Sequence, residues 1–171
     1  MKKPSLNLAF DLIRERLNAL REDSKSLDDK ANFAQGSATA LMSAALIIQA
    51  VLVQNHTNCA MFGLFRGMPQ VANSILPLLP LLIPYVGVIL LGIRAGRLNV
   101  YLQSPKPDTL QDYLEQDESR TKEVLLRSMV YAYAVNEQTL KRKSKWVTYT
   151  LIFLTIEAFM LVPVLLLQAS C

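Results

Sequence analysis

A carboxylate stands inside an apolar run: Glu157 interrupts the stretch from Val147 to Leu167. It lies eleven residues past Trp146, near the midplane of a bilayer that this run would cross. An ionisable group at that depth costs several kcal/mol unless it is paired, hydrated or neutral, so it must face protein or a water path. Two chemistries fit. Glu157 lines an ion or proton path, or it is a protonated acid bonded to Gln49, Thr155 or a carbonyl freed by a proline. Copies arranged in a ring would present several acids and favour cations. Gln49, deep in an earlier apolar run, also needs a hydrogen-bonding partner or a wet cavity. His56 and Cys59 are two metal-ligand types in one segment, too few for a structural zinc site, and a solvated histidine is the simpler reading. Asn55-His56-Thr57 has the form of a glycosylation acceptor, but so short a motif also occurs by chance. Asp28 and Asp29 beside Lys30 could act as acid and base, although a solvated charge cluster at a membrane boundary is the ordinary meaning. There is no glycine-rich phosphate loop, nucleophile–base pair or usable metal spacing, so neither an enzyme nor a cofactor is expected.

The elements that must position these residues are membrane helices. The chain is 51% hydrophobic and 19% charged, with the charges gathered in two blocks. Its last apolar run, at residues 146–168, follows Lys141, Arg142, Lys143, Lys145 and Trp146. A hydrocarbon core needs about 20 apolar helical residues to cross it, and Trp marks headgroup depth. A first run over 35–54 opens with small residues, and Gly36, Ala40 and Ala44 form a small-xxx-small stripe suited to close helix packing. A second run over 75–95 carries Pro77, Pro80 and Pro84, which predicts an irregular or kinked outer half and a regular Tyr85–Ile93 half. Trp146, Lys143, Lys145, Arg94 and Arg97 are the expected membrane anchors.

Between the spans lie two hydrophilic segments. In residues 1–34, Leu6, Phe10, Ile13, Leu17, Leu20, Ser24, Leu27, Ala31 and Ala34 alternate in steps of four and three. This is a heptad seam interrupted by Ser24, serving intrachain packing or a homo-oligomer, with Ser5 as its N-cap. In residues 96–145, Ser104-Pro105-Lys106-Pro107-Asp108 stops one helix and starts another, with Asp108 and Gln111 in a capping-box spacing. From Thr109 one helix should run into the last span, its cytosolic part on the order of 55 Å long. Lys and Arg number seven in residues 1–33 and ten in 94–145, but one, Arg66, in the 55–74 loop. Seventeen against one predicts an inner-membrane protein with its N-terminus and the 94–145 segment cytosolic and its C-terminus outside. Cys59 and Cys171 then share the outer side, bridged or unpaired. Residues 5–34 are charged throughout, so no cleavable secretion signal is expected. The net charge of +4 is explained by orientation and anionic lipid rather than by nucleic acid.

The fold class is therefore all-α: three transmembrane helices, with an N-terminal helix packed on the helix that precedes the last span. Leu27-Asp28-Asp29-Lys30-Ala31-Asn32-Phe33 resembles the Asp-x-Lys-Ala lead-in to the first span of Pycsar-type transmembrane effectors, and is similar to that of SLATT-type membrane effectors. Glu123 through Asn136 to Lys143 resembles the long helix that re-enters the membrane in those bacterial anti-phage proteins. The resemblance implies membrane disruption or depolarisation on infection, often triggered by a nucleotide signal. The proline-rich second span departs from the pattern, and no nucleotide-binding module is recognisable, so a cytosolic protein partner would be the sensor. The leading expectation is an oligomeric pore or leak governed by the cytosolic helices. The alternatives are a non-conducting adaptor and an accessory subunit of a larger complex.

Overall fold

The computed structural model describes residues 4–55, 78–98 and 117–169. Three helices account for nearly all of them: α1 (Pro4–Asn55), α2 (Leu79–Gly96) and α3 (Glu118–Ala169). Each contains a segment long and apolar enough to cross a membrane, and there is no strand among the described residues. The loop with His56, Cys59 and Arg66, Pro77, the Ser104–Asp108 stop signal with Gln111, and Cys171 lie outside the described residues.

Helix α1 runs for 52 residues without a break. Pro4 opens it, where a fixed φ suits the helix and the missing N–H has no intrahelical partner to lose. Ser5 thus lies inside the first turn and is not the N-cap expected from the sequence. Along α1 the heptad seam faces inward. Leu20, Ser24, Ala31 and Ala34 are buried, Leu6, Phe10, Ile13, Leu17 and Leu27 are half-buried, and the stripe continues through Ala38, Ala45 and Gln49. Helix α3 is capped by Asp117, whose carbonyl accepts the N–H groups of Arg120 and Thr121 at 3.0 Å. The Asp117 carboxylate accepts the Ser119 hydroxyl, also at 3.0 Å. Exposed i,i+4 pairs (Lys122–Glu118, Arg127–Glu123, Lys141–Glu137) line its flank and contribute little, being screened by solvent.

The chain forms two compact units. One comprises Met1–Asp29 and Gly96–Lys145, the other Lys30–Ala95 and Trp146–Cys171. In the first, the N-terminal part of α1 packs on the leading part of α3 through buried Leu20 and Ser24 on one helix and Met129, Ala132, Asn136 and Lys143 on the other. In the second, all three helices meet. Ala34, Ala38 and Val88 form one cluster with Tyr85, Leu151, Phe153 and Leu154. Ala45, Leu78, Leu81 and Val164 form another with Met42 and Leu161. The clusters pair later residues of α1 with later residues of α3 and with earlier residues of α2. Hence α1 and α3 run parallel and α2 runs against them.

Small side chains let these helices approach, as packing in lipid requires. The face used is Ala31, Ala34, Ala38 and Ala45; Gly36, Ala40 and Ala44 are exposed, and a Cβ on Gly36 would meet open space. The reason is angular. Two residues along a helix is about 200° of rotation, so Gly36 points away from the side that Ala34 buries. On α2, Gly87 leaves room for the Phe153 ring and Gly92 for the Gln35 side chain, which donates to the Ile89 carbonyl at 3.3 Å. Helix α2 is helical from Leu79, so its regular part starts earlier than the sequence suggested. Pro80 falls in the first turn, where no amide is needed, and Pro84 is buried within the helix.

A methyl group at Gly87 would strike the Phe153 ring. Gly87→Ala should therefore cost about 1–3 kcal/mol, with partial recovery in Gly87→Ala/Phe153→Leu. Gly36→Ala should leave the fold as stable as wild type. Denaturation in mixed micelles followed by helical circular dichroism distinguishes the two positions.

Candidate functional site: a buried polar stripe on the last helix

Six residues of α3 spaced by seven are buried: Met129, Asn136, Lys143, Thr150, Glu157 and Val164. Four are polar or charged, which is unusual for the inward side of a helix. A spacing of seven is nearly two turns, so these side chains lie one above another on a single face.

Lys143 has no exposed surface. Its ammonium lies 2.7 Å from the Asp28 carboxylate and donates to the Ser24 hydroxyl at 3.0 Å. Asp28 keeps about a third of its side chain in solvent, so the pair is buried on the lysine side only. By sequence, Lys143 is a membrane anchor and Ser24 an interruption of the heptad seam. In the folded chain each explains the other, because a serine at a core position gives the lysine a hydrogen-bond acceptor and the room to enter. Asp28, the first acid of the Asp28-Asp29-Lys30-Ala31 lead-in, supplies the counter-charge. Among the remaining anchors, Arg94, Arg97 and Lys145 are exposed and Trp146 is half-buried. The Arg94 guanidinium carbon sits 4.5 Å from the centroid of the Trp146 ring.

Glu157 is 1% exposed, and neither carboxyl oxygen has a hydrogen-bond partner among the described residues. The partners suggested by the sequence are engaged elsewhere or too far away. Thr155 donates back to the Leu151 carbonyl at 2.9 Å. Val164 shares a cluster with Ala45, so Glu157, two turns earlier, is level with Ala38. Gln49 is eleven residues beyond Ala38, on the order of 16 Å along α1, and is buried there with polar company of its own. The two intramembrane polar residues are thus separate features. An orphaned buried carboxyl detracts from stability, which marks it as a group kept for another reason. No group of three metal-ligating side chains occurs among the described residues.

Gln35, Gly87 and Gly92 went unnoticed in the sequence. Their significance is pairwise and depends on which residue of another helix lies opposite. The stripe on α3 did carry a signal, the period-seven recurrence of Asn136, Lys143, Thr150 and Glu157, but it is polar, and hydrophobic periodicity passes over it.

Asp28→Asn leaves a buried ammonium with only a hydroxyl and an amide, and should lower unfolding stability by about 3 kcal/mol. Lys143→Met should cost less, and the double substitution should recover most of the loss. A double-substitution cycle by denaturation in mixed micelles checks this; additive losses would show that the pair does not couple.

Residues 12–170 match the family model of the Pycsar effector protein domain, PycTM. No curated protein and no solved structure gave a match.

Proposed function

We propose, because this chain belongs to the Pycsar effector (PycTM) family, that it is the membrane-permeabilising component of an anti-phage response. Family membership and three candidate spans make it a multi-pass membrane effector of that defence. The finer reading is an oligomeric leak, closed at rest and released through its hydrophilic helices. The observation that carries it is Glu157, a carboxyl sealed among the spans with no partner. Such a group favours any rearrangement that gives it water or a cation.

Several features support the finer reading. Lys143 and Glu157 lie fourteen residues apart on the same face of one continuous helix. One helix therefore carries both the Lys143–Asp28 pair and the buried carboxyl. Gly36, Ala40 and Ala44 are left uncovered by the described residues and suit close packing against a second copy. Leu8 and Leu12, one turn apart on the N-terminal part of α1, are exposed as well and offer a contact to another copy or to a cytosolic partner. The excess of Lys and Arg in residues 1–33 and 94–145 supports a cytosolic N-terminus and 94–145 segment, inner-membrane spans and an outer C-terminus. A protein partner or a nucleotide signal acting there is the trigger. The chain has no catalytic role in this scheme.

The test is electrical. Purified protein in liposomes should pass monovalent cations, and Glu157→Gln should lower cation flux on the order of tenfold by removing the charge that favours them. Asp28→Asn should raise the resting leak. Absence of flux under every condition together with a monomeric state in detergent, or equal flux through wild type and Glu157→Gln, would overturn the proposal.

A further inference from the structure

Arg94 ends α2 and Trp146 begins the apolar part of α3, so the two meet where two spans reach headgroup depth. The guanidinium lies over the indole face, and Tyr149 meets the same indole edge-on, with centroids 6.0 Å apart and planes at 68°. Arg94 is exposed, and no carboxylate lies within ion-pair distance of it among the described residues. A cation–π contact engages the charge of a guanidinium and none of its five N–H donors as hydrogen bonds. The carbonyl end of α2 attracts this cation and repels an anion, so whatever binds there must be held by the guanidinium itself.

We infer that Arg94, braced on Trp146, binds the phosphate of an anionic phospholipid at the basic boundary of the spans. A guanidinium held in one orientation offers two parallel N–H bonds to two phosphate oxygens, which a freely rotating surface lysine does not. Leu90, one turn before Arg94, and the neighbouring Ile93 are exposed and give an acyl chain an apolar track leading from the phosphate into the bilayer. Free phosphate would meet the same donors but has nothing to lay along that track. Generic attraction between basic flanks and an acidic membrane is shared by every exposed cation. This site differs because a ring of another helix fixes its donor geometry.

The test is lipid retention by the full chain, released from nanodiscs of equimolar phosphatidylglycerol and phosphatidylcholine and weighed by native mass spectrometry. Wild type should retain phosphatidylglycerol in preference to phosphatidylcholine, and inorganic phosphate should not displace it. Arg94→Gln should reduce phosphatidylglycerol retention about tenfold. Arg97→Gln, which removes an exposed and unstacked cation, should reduce it only about twofold to fivefold. Arg94→Lys keeps the charge without the fork and should fall between wild type and Arg94→Gln, which covers the case in which Arg94→Gln does not fold. Equal losses in Arg94→Gln and Arg97→Gln, wild-type retention in Arg94→Lys, or displacement of the lipid by inorganic phosphate would overturn the site.

Discussion

A lysine without solvent contact can exist only where its charge is answered, and Asp28 answers that of Lys143 across two helices. Taking an ammonium out of water costs several kcal/mol, and the attraction of one carboxylate at 2.7 Å with one hydroxyl at 3.0 Å must offset it. Such a pair adds little net stability compared with well-packed apolar residues. Its strength is as a register mark, since a one-residue slip of α3 would part the ammonium from both acceptors. A contact that is costly to break by halves and nearly neutral to replace outright is suited to a joint with two settings.

Within the spans, attraction between helices comes from contact rather than from exclusion of water, because lipid is as apolar as leucine. This explains the small residues of α1 and the two glycines of α2 that admit Phe153 and Gln35. It also explains why large side chains such as Ile83, Phe159 and Leu166 point outward. Within this bundle Glu157 is enclosed without a hydrogen-bond partner among the described residues. Packing holds the carboxyl in place while its own solvation would favour release. The opposition of these two terms is the physical content of the proposed resting state.

Most of the architecture was legible in the sequence because its signals are one-dimensional. The apolar runs, the basic flank before Trp146 and the heptad seam from Leu6 to Ala34 each state their meaning within a single helix. What a single helix leaves open within the bundle depends on a second helix. Gly36, Ala40 and Ala44 were as good a packing stripe as Ala34 and Ala38, and only the position of α2 and α3 decides between them. Lys143 reads as a surface anchor until Ser24 is seen beside it. Gln49 is one of several partners that polarity alone offers Glu157, whereas the parallel run of α1 and α3 sets the two at different depths. Asp28 came nearest to recognition, since its motif was noticed before any partner could be assigned.

In the proposed resting state Glu157 is sealed, and the carboxyl meets water only when ions flow. Glu157→Cys, in a chain with Cys59 and Cys171 replaced by serine, can be exposed to a charged thiol reagent in vesicles with and without ion flux. The expected result is no labelling at rest and labelling that rises in step with flux. Labelling of the resting protein, or flux with the thiol still unreactive, would contradict the account.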